Sequence, residues 1–485
     1  MKLGRVSGRA RVLVLAALVT FSGASTGWSA AGAPASGTGG SGPFGWRIVS
    51  LPAAGGGHRA GFGEPGIAVG QHGLLLINAA QANVGFPTWW VSRNDGGGWG
   101  LGQDYDRSGA MTGDADAAIG PDGYRYALNL AFQNPPQQPV NPTILVYSST
   151  DGQHWDGPAS FPAPHGADQP DRPWLVPDPY QPNRVFVTNS EGVGDVVIWA
   201  STDHARTFTG PALITGAGHG ASIELTSRPL FDPTYHNRMY LLYEASAPAD
   251  SSPVAAEQPL RDFPLTQLWL AESTNAGRSW NSRMLLDITS AFGPAGGGGS
   301  LGHVLPAFAI DRAGTLDAAF SLRLGASTQT HIFLIHSTDH GAHWSRPLRA
   351  DPSRWGSNVM PALAAGARGR LDISWYASGS PDFTDQHSRW VEMFAQSLNM
   401  LSAHPTFTTA QVSGVTHIGS IDTSGNPGSK LYNWGLRDFQ SLVIDACGAA
   451  HLAWTDDIGS GSTYTARQTS GPSLLPDSGC RVPGR

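Results

Sequence analysis

Ten side chains able to do chemistry stand at one kind of place in this chain, on or just before a short apolar run: Glu64, Asp114, Asp116, Asp171, Arg172, Arg228, His303, Asn358, Arg437 and Asp438. Arg172, Arg228 and Arg437 carry planar guanidinium forks that match a carboxylate at two points. Glu64, Asp114 and Asp171 are the candidate catalytic carboxylates, because paired acids flanking a glycosidic bond supply its acid and base chemistry. Asp438, His303 and Asn358 join the arginines as candidate substrate contacts. A structural reading stays open for the same residues, in which the charges neutralise one another between neighbouring elements and line a wet channel. Other motifs give nothing. Gly298 to Gly302 matches G-x-S-x-G but sits in a glycine tract, without the strand-turn-helix context a nucleophile needs. There is no HExxH, EF-hand loop or phosphate loop, and the sixteen histidines lack ligand spacing. No metal and no cofactor are expected.

What positions these residues is a double repeat. One unit closes a turn: Ser92 to Trp99, Ser149 to Trp155, Ser201 to Phe208, Ser273 to Trp280 and Ser337 to Trp344. Each has a hydroxyl, then Asp or Asn, usually a glycine, and an aromatic. The Asx side chain satisfies backbone N–H groups of its own turn, and the aromatic folds back as a plug. A structural role is therefore expected for these turns. The second unit is an apolar strand, a turn with Asp or Gly, and another apolar strand. Its copies open at Glu64-Pro65, Asp114-Ala115, Arg172-Pro173, Arg228-Pro229, Leu305-Pro306, Met360-Pro361 and Phe439-Gln440. Proline fits the start of a strand, where the first donor is unpaired.

Repeats of this length, each holding about four strands, predict an all-β propeller of four-stranded antiparallel blades. Seven blades match the seven copies, with six as the alternative. No blade covers both its apolar faces alone, so the ring must close, and Trp46 to Leu51 is the strand expected to complete the last blade. In such a ring the starts of the innermost strands converge, which is how residues hundreds of positions apart can meet.

Composition agrees. Charged residues are only 14% of the 485, against 62 glycines, 36 prolines and 16 tryptophans, which suits short strands and tight turns. Lys2, Arg5, Arg9 and Arg11 precede an apolar run from Val12 to Phe21, then small residues. That is the pattern of an export signal, expected over 1–31, and the run is too short to span a membrane comfortably. Its removal takes four of the 30 basic residues and none of the 37 acidic ones, leaving net −11. Such a chain is a poor partner for nucleic acid. A flexible linker over 32–45, a propeller over 46–470 and a tail over 471–485 follow. Cys447 and Cys480 are the only cysteines. In an exported protein one bridge pinning the tail is the simplest pairing, with two free thiols as the alternative. A secreted monomer without membrane insertion is expected.

The phrases Asp171-Arg172-Pro173-Trp174-Leu175-Val176, Ser149-Thr150-Asp151-Gly152, Met393 to Asn399 and Arg437-Asp438-Phe439 resemble the exported bacterial sialidase-like Asp-box (BNR repeat) proteins of the sialidase superfamily. The resemblance covers nearly the whole mature length. It implies a glycan or carboxylate-bearing sugar as partner and, if the chain is active, glycoside hydrolysis of exo-α-sialidase type. The alternative it leaves is a non-catalytic propeller binding a glycan or a cell-envelope partner. The chain departs from the family at its Phe-Arg-Ile-Pro motif, where Phe62-Gly63-Glu64-Pro65 stands, with glycine in place of the carboxylate-binding arginine. The family's Tyr–Glu nucleophile pair also has no matching context.

Overall fold

A computed structural model describes residues 38–39, 42–52, 62–81, 88–101, 111–132, 143–159, 161, 170–191, 195–216, 225–247, 265–301, 305–352, 354–421, 433, 435–458 and 462–480. The expected signal, most of the expected linker and His303 lie outside the described residues.

Among the described residues regular structure is almost entirely strand, with a short α-helix at Ile288–Phe292 followed by a 3-10 turn at Gly293–Ala295. Strands β1 (Thr38–Gly39) and β2 (Gly45–Ser50) come first. Next is a sheet of β3 (Phe62–Val69), β4 (Leu75–Gln81), β5 (Thr88–Ser92) and β6 (Gly100–Leu101), hydrogen-bonded in that order. The sheet after it has β7 (Met111–Ile119), β8 (Arg125–Phe132) and β9 (Thr143–Ser149), with a bridge from Ser148 to Asp156 in the fourth position. Four-stranded order returns in β10 (Pro170–Pro177), β11 (Val185–Glu191), β12 (Asp195–Ser201) and β13 (Thr209–Leu213), and again in β14 (Leu230–Phe231), β15 (Met239–Ser246), β16 (Leu265–Ser273) and β17 (Asn281–Asp287).

Two further quartets are joined by a single parallel contact between Thr330 and Ser357. They are β18 (Ala307–Ile310), β19 (Leu316–Arg323), β20 (Thr330–Ser337) and β21 (Leu348–Arg349), then β22 (Ser357–Ala365), β23 (Leu371–Ser378), β24 (Arg389–Ser397) and β25 (Thr408–Ile418). The last sheet holds β26 (Ser441–Ile444), β27 (Ala450–Asp456) and β28 (Ser462–Ser470), and its free edge takes β2 and then β1. Within each sheet the pairing is antiparallel. First strands of successive sheets lie against each other: β3 on β7, β7 on β10, β14 on β18, β18 on β22, β22 on β26, and β26 on β3 again.

The core lies between neighbouring sheets. Tyr126 and Leu128 pack with Val185 and Val187, and Tyr240 and Leu242 with Leu316 and Phe320. Middle strands are buried on both faces, which is why they read as near-continuous apolar runs. Each large side chain so covered contributes about 1.5–3 kcal/mol. Phe44 is buried against Trp46 and Phe394, with ring centroids 6.3 Å and 5.0 Å away. The packed chain therefore starts before residue 46, inside the expected linker. Cys447 and Cys480 form a disulfide with Cα atoms 5.3 Å apart.

The five repeated turns are closed by the same bonds. In the one at Ser337, the hydroxyl donates to Asp339 Oδ1 (2.8 Å) and accepts from Gly341 N (2.8 Å), while His343 N donates to Asp339 Oδ1 (2.9 Å). A sixth, looser copy stands at the end of β24. There Ser397 Oγ donates to Asn399 (3.3 Å), and the capped donor is Thr406 N, seven residues on, at 2.9 Å.

Proline placement differs from expectation in three sheets. Pro65, Pro173 and Pro361 lie inside β3, β10 and β22, at register breaks between Gly63 and Gly66, Asp171 and Trp174, and Val359 and Ala362. A bulge has no ladder bond to give at that point, so proline costs nothing there. Pro229 and Pro306 immediately precede β14 and β18, as expected.

Candidate functional site

The bulges aim the charged side chains. Glu64 (φ 54°), Arg172 (φ 49°) and Met360 (φ 55°) precede those prolines with left-handed backbone, and Arg437 (φ 61°) shares it just before β26. That conformation costs an ordinary residue roughly 1–2 kcal/mol and persists only where surroundings over-determine it. A bulge inserts one residue and redirects its side chain. Asp114 lies in the matching break of β7, between Thr112 and Ala115.

Four sheets thereby bring charges to one point. Arg172 ion-pairs with Asp438, and its Nη1 lies 3.8 Å from Asp114 Oδ1 and 4.0 Å from Glu64 Oε1. Its Nε is 4.0 Å from Asp171 Oδ2, and its backbone N donates to Asp171 Oδ1 (3.0 Å). Glu64 and Asp114 share a side-chain hydrogen bond, and Arg437 faces Glu64. Burial is the main influence on both acids. It lifts Glu64 against the pull of Arg437 and Arg172, and it lifts Asp114 to about 7, helped by the neighbouring Glu64 charge and opposed by Arg172. Burial and the neighbouring Glu64 charge together favour a protonated Asp114 near neutrality. Side-chain exposure is 3% for Glu64 and 9% for Asp114, but 40% for Asp171. Asp171 is the open edge of the cluster.

A close approach requires glycine at position 63. A Cβ at Gly63 would meet Arg437 Cγ at 2.3 Å, so the stem of Arg437 lies where any side chain at 63 would begin. The close pass of β3 over β7 likewise requires Gly66, whose Cβ would lie 2.7 Å from Ala117 N.

The remaining candidates are placed differently. Arg228 ion-pairs with Asp116 and stacks over Trp174, 5.3 Å from its ring centroid. Asp116 also accepts from Ala117 N (2.8 Å) and Leu175 N (2.9 Å), which ties β7 to β10. Asn358 is fully buried with its amide engaged: Nδ2 donates to Asp351 (3.2 Å), and Oδ1 accepts from Trp375 Nε1 (2.8 Å). It therefore has no amide group left for a ligand. Beside Arg228 a cavity of about 300 Å³ runs between the first strands. Its walls are mainly apolar, with Leu305, Phe308, Leu363 and Phe439 among them, rather than those of a wet channel. Sequence reasoning misses the supporting roles of Asp116 and Trp174. The two-residue spacing from Asp114 is the available signal for Asp116, once the bulge at Asp114 is known.

Among the described residues no group of three or more His, Cys, Asp or Glu side chains is arranged to hold a metal ion, and no helix is long and apolar enough to cross a membrane. The fold defines an all-β protein of four-stranded antiparallel sheets, consistent with a β-propeller.

No family model and no curated protein matches the chain. Solved structures do resemble it. Polysaccharide lyase Uly1 aligns with a TM-score of 0.50 at 10% identity, covering 86% of this chain and 91% of that one. The BP39L lectin from Burkholderia pseudomallei gives 0.46 at 14%, covering 83% and 98%. A Trypanosoma rangeli sialidase gives 0.40 at 13%, covering 84% of this chain and 54% of that one. At such identities the likeness concerns the fold.

Proposed function

We propose that this chain is an exported, seven-bladed, sialidase-like propeller that acts on acidic glycans at the charged cluster on β3, β7, β10 and the start of β26. The observation that carries the reading is convergence: four separate sheets supply Glu64, Asp114, Arg172 and Asp438 to one point, two of them on left-handed bulges. Contact of β26 with β3, and of β2 with β28, supports a closed ring. Seven first strands favour seven blades over six. The repeated Ser-x-Asp/Asn turns support the Asp-box kinship, and a disulfide is compatible with export.

In this reading Arg172 and Arg437 hold the sugar carboxylate, with Arg437 serving where Gly63 removes the family's arginine. Asp114 keeps its proton near neutrality and delivers it to the leaving oxygen as the glycosidic C–O bond breaks, while water supplies the new hydroxyl. Two carboxylates flanking a glycosidic bond stand about 5 Å or more apart. Glu64 and Asp114 are hydrogen-bonded and so too close for that. They work as one proton-holding unit, and the exposed Asp171 is the second carboxylate.

A non-catalytic glycan- or envelope-binding role is the second reading, favoured by the low exposure of Glu64 and Asp114. The deciding experiment assays the purified protein on a fluorogenic sialoside, a glycoside panel and polyuronates, beside Asp114→Asn and Arg172→Ala. We expect turnover confined to acidic substrates. It should fall about 100-fold or more in Asp114→Asn, with a raised KM in Arg172→Ala. Silence across the panel together with binding on a glycan array establishes the binder; turnover untouched by both changes removes the site.

A further inference from the structure

At the far ends of the first strands, the turns following β3, β7 and β26 enclose a second cavity of about 760 Å³. Part of its lining is apolar, including Val69, Ile119 and Leu475, and three arginines, Arg93, Arg125 and Arg312, share the wall. Arg125 is 7% exposed and donates through Nη1 to the carbonyls of Gly123 (3.2 Å) and Thr150. Arg93 Nη2 donates to the carbonyl of Asp151 at 3.0 Å. Both guanidinium groups are thus fixed by backbone oxygens, which orient them without neutralising them. Arg125 Nε is buried without an acceptor, and the neighbouring Arg93 charge adds to burial in lowering the Arg125 pKa, against the pull of Asp151.

Two acids, Asp122 and Asp445, share the wall, Asp151 acts on Arg125 from beside it, and all three are engaged elsewhere. Asp445 accepts from Cys447 N (2.9 Å) and Ala449 N (3.0 Å) and pairs with His451 (3.2 Å) and Arg467 (3.5 Å). Asp122 accepts from Tyr124 N (3.2 Å) and pairs with His204 (2.9 Å). Asp151 caps its own turn, accepting from Gln153 N (2.7 Å) and His154 N (2.8 Å). Among the described residues no ion pair joins Arg93, Arg125 or Arg312 to a carboxylate. Three guanidinium groups that make no such ion pair, facing acids already held by other partners, attract an oxyanion, whose geometry the guanidinium fork matches.

We propose that this cavity is a second binding site, at the opposite end of the first strands from the acid cluster, for an oxyanion group carried on one or two sugar residues. The volume suits a ligand of that size, and the apolar wall offers a surface to the C–H face of a sugar ring. Titration calorimetry at low ionic strength tests it with digalacturonate and inorganic sulfate as probes. Proteins are the wild type, Asp114→Asn, the exposed-site double variant Arg93→Gln/Arg312→Gln, and Arg125→Lys as a milder change at the buried position. Wild type and Asp114→Asn should bind digalacturonate saturably and alike, about tenfold or more tighter than sulfate, and the double variant should lose about tenfold. Unchanged thermal unfolding of the double variant assigns that loss to the site. No saturable binding of either probe, or wild-type affinity in both arginine variants, overturns the site. Equal affinity for the two probes overturns its assignment to a sugar and leaves a free oxyanion as the ligand. Because the double variant leaves Arg172 and Arg437 in place, a loss confined to it belongs to this cavity and is separate from the fate of the acid cluster.

Discussion

At the residue scale the decisive group is Asp114, because its titration belongs to both folding and chemistry. Its folded pKa is about 7 against an ordinary value of 3.8. Between those values the folded protein holds a proton that the unfolded chain has released. Stability from this group is therefore complete below the unfolded value, declines as pH rises towards 7, and is level above it. Glu64 is shifted in the same direction. Asp114→Asn keeps a donor for Glu64 and removes the charge that burial penalises. Thermal or urea unfolding at pH 5 and pH 8 should show the variant gaining on the wild type at the higher pH, by about 2–3 kcal/mol at 1.4 kcal/mol per unit. An identical pH slope in both proteins contradicts the shared-proton arrangement. The residues of this cluster are legible in the sequence because charges are out of place beside apolar runs. Their arrangement is not, since neither the contact of Arg437 with Gly63 nor the capture of Arg228 by Asp116 leaves a trace in spacing.

At the element scale the turns and the bulges contrast. The turn unit is legible because every bond that closes it runs between residues a few positions apart, so spacing records it. The sixth copy escapes because its capped donor moves out to Thr406. The bulges escape for a related reason. Pro65, Pro173 and Pro361 announce a missing donor, and either a strand start or a register break supplies one; only the partner strand decides. The turns give a local prediction. Asp203 Oδ1 accepts from Arg206 N and Thr207 N, both at 3.0 Å, and from the Ser201 hydroxyl at 2.7 Å. Asp203→Ala should cost about 1–2 kcal/mol by losing these bonds at a partly exposed turn. Asp203→Asn should restore most of it, because Asn94 and Asn275 close equivalent turns. Denaturant midpoints of the two variants check this, and a neutral Asp203→Ala contradicts the structural role.

At the scale of the whole molecule the proposed ring rests on how its last sheet is fastened. β2 pairs with β28 along its length, while Phe44 and Trp46 pack on Phe394 of the preceding sheet. The tail fastens the same junction from the C-terminal side: Leu474 O accepts from Ala367 N (2.9 Å), Leu474 N donates to Gly448 O (3.0 Å), and the disulfide follows. In a closed ring every sheet shares both faces, so removing one fastening exposes two faces at once. Trp46→Ala leaves the strand in place and should cost about 3–5 kcal/mol, as for any large buried side chain. Deleting residues 1–50 removes the strand itself, leaves β28 paired on one side only, with β27, and uncovers the cluster around Trp454 and Phe394. The deleted protein should lose its single cooperative melting transition and bind a hydrophobic dye, whereas Trp46→Ala should keep one transition at lower temperature. If the deletion melts cooperatively with a loss no larger than that of Trp46→Ala, β2 decorates an edge instead of closing a ring. The convergence of four sheets on Arg172 would then need another cause.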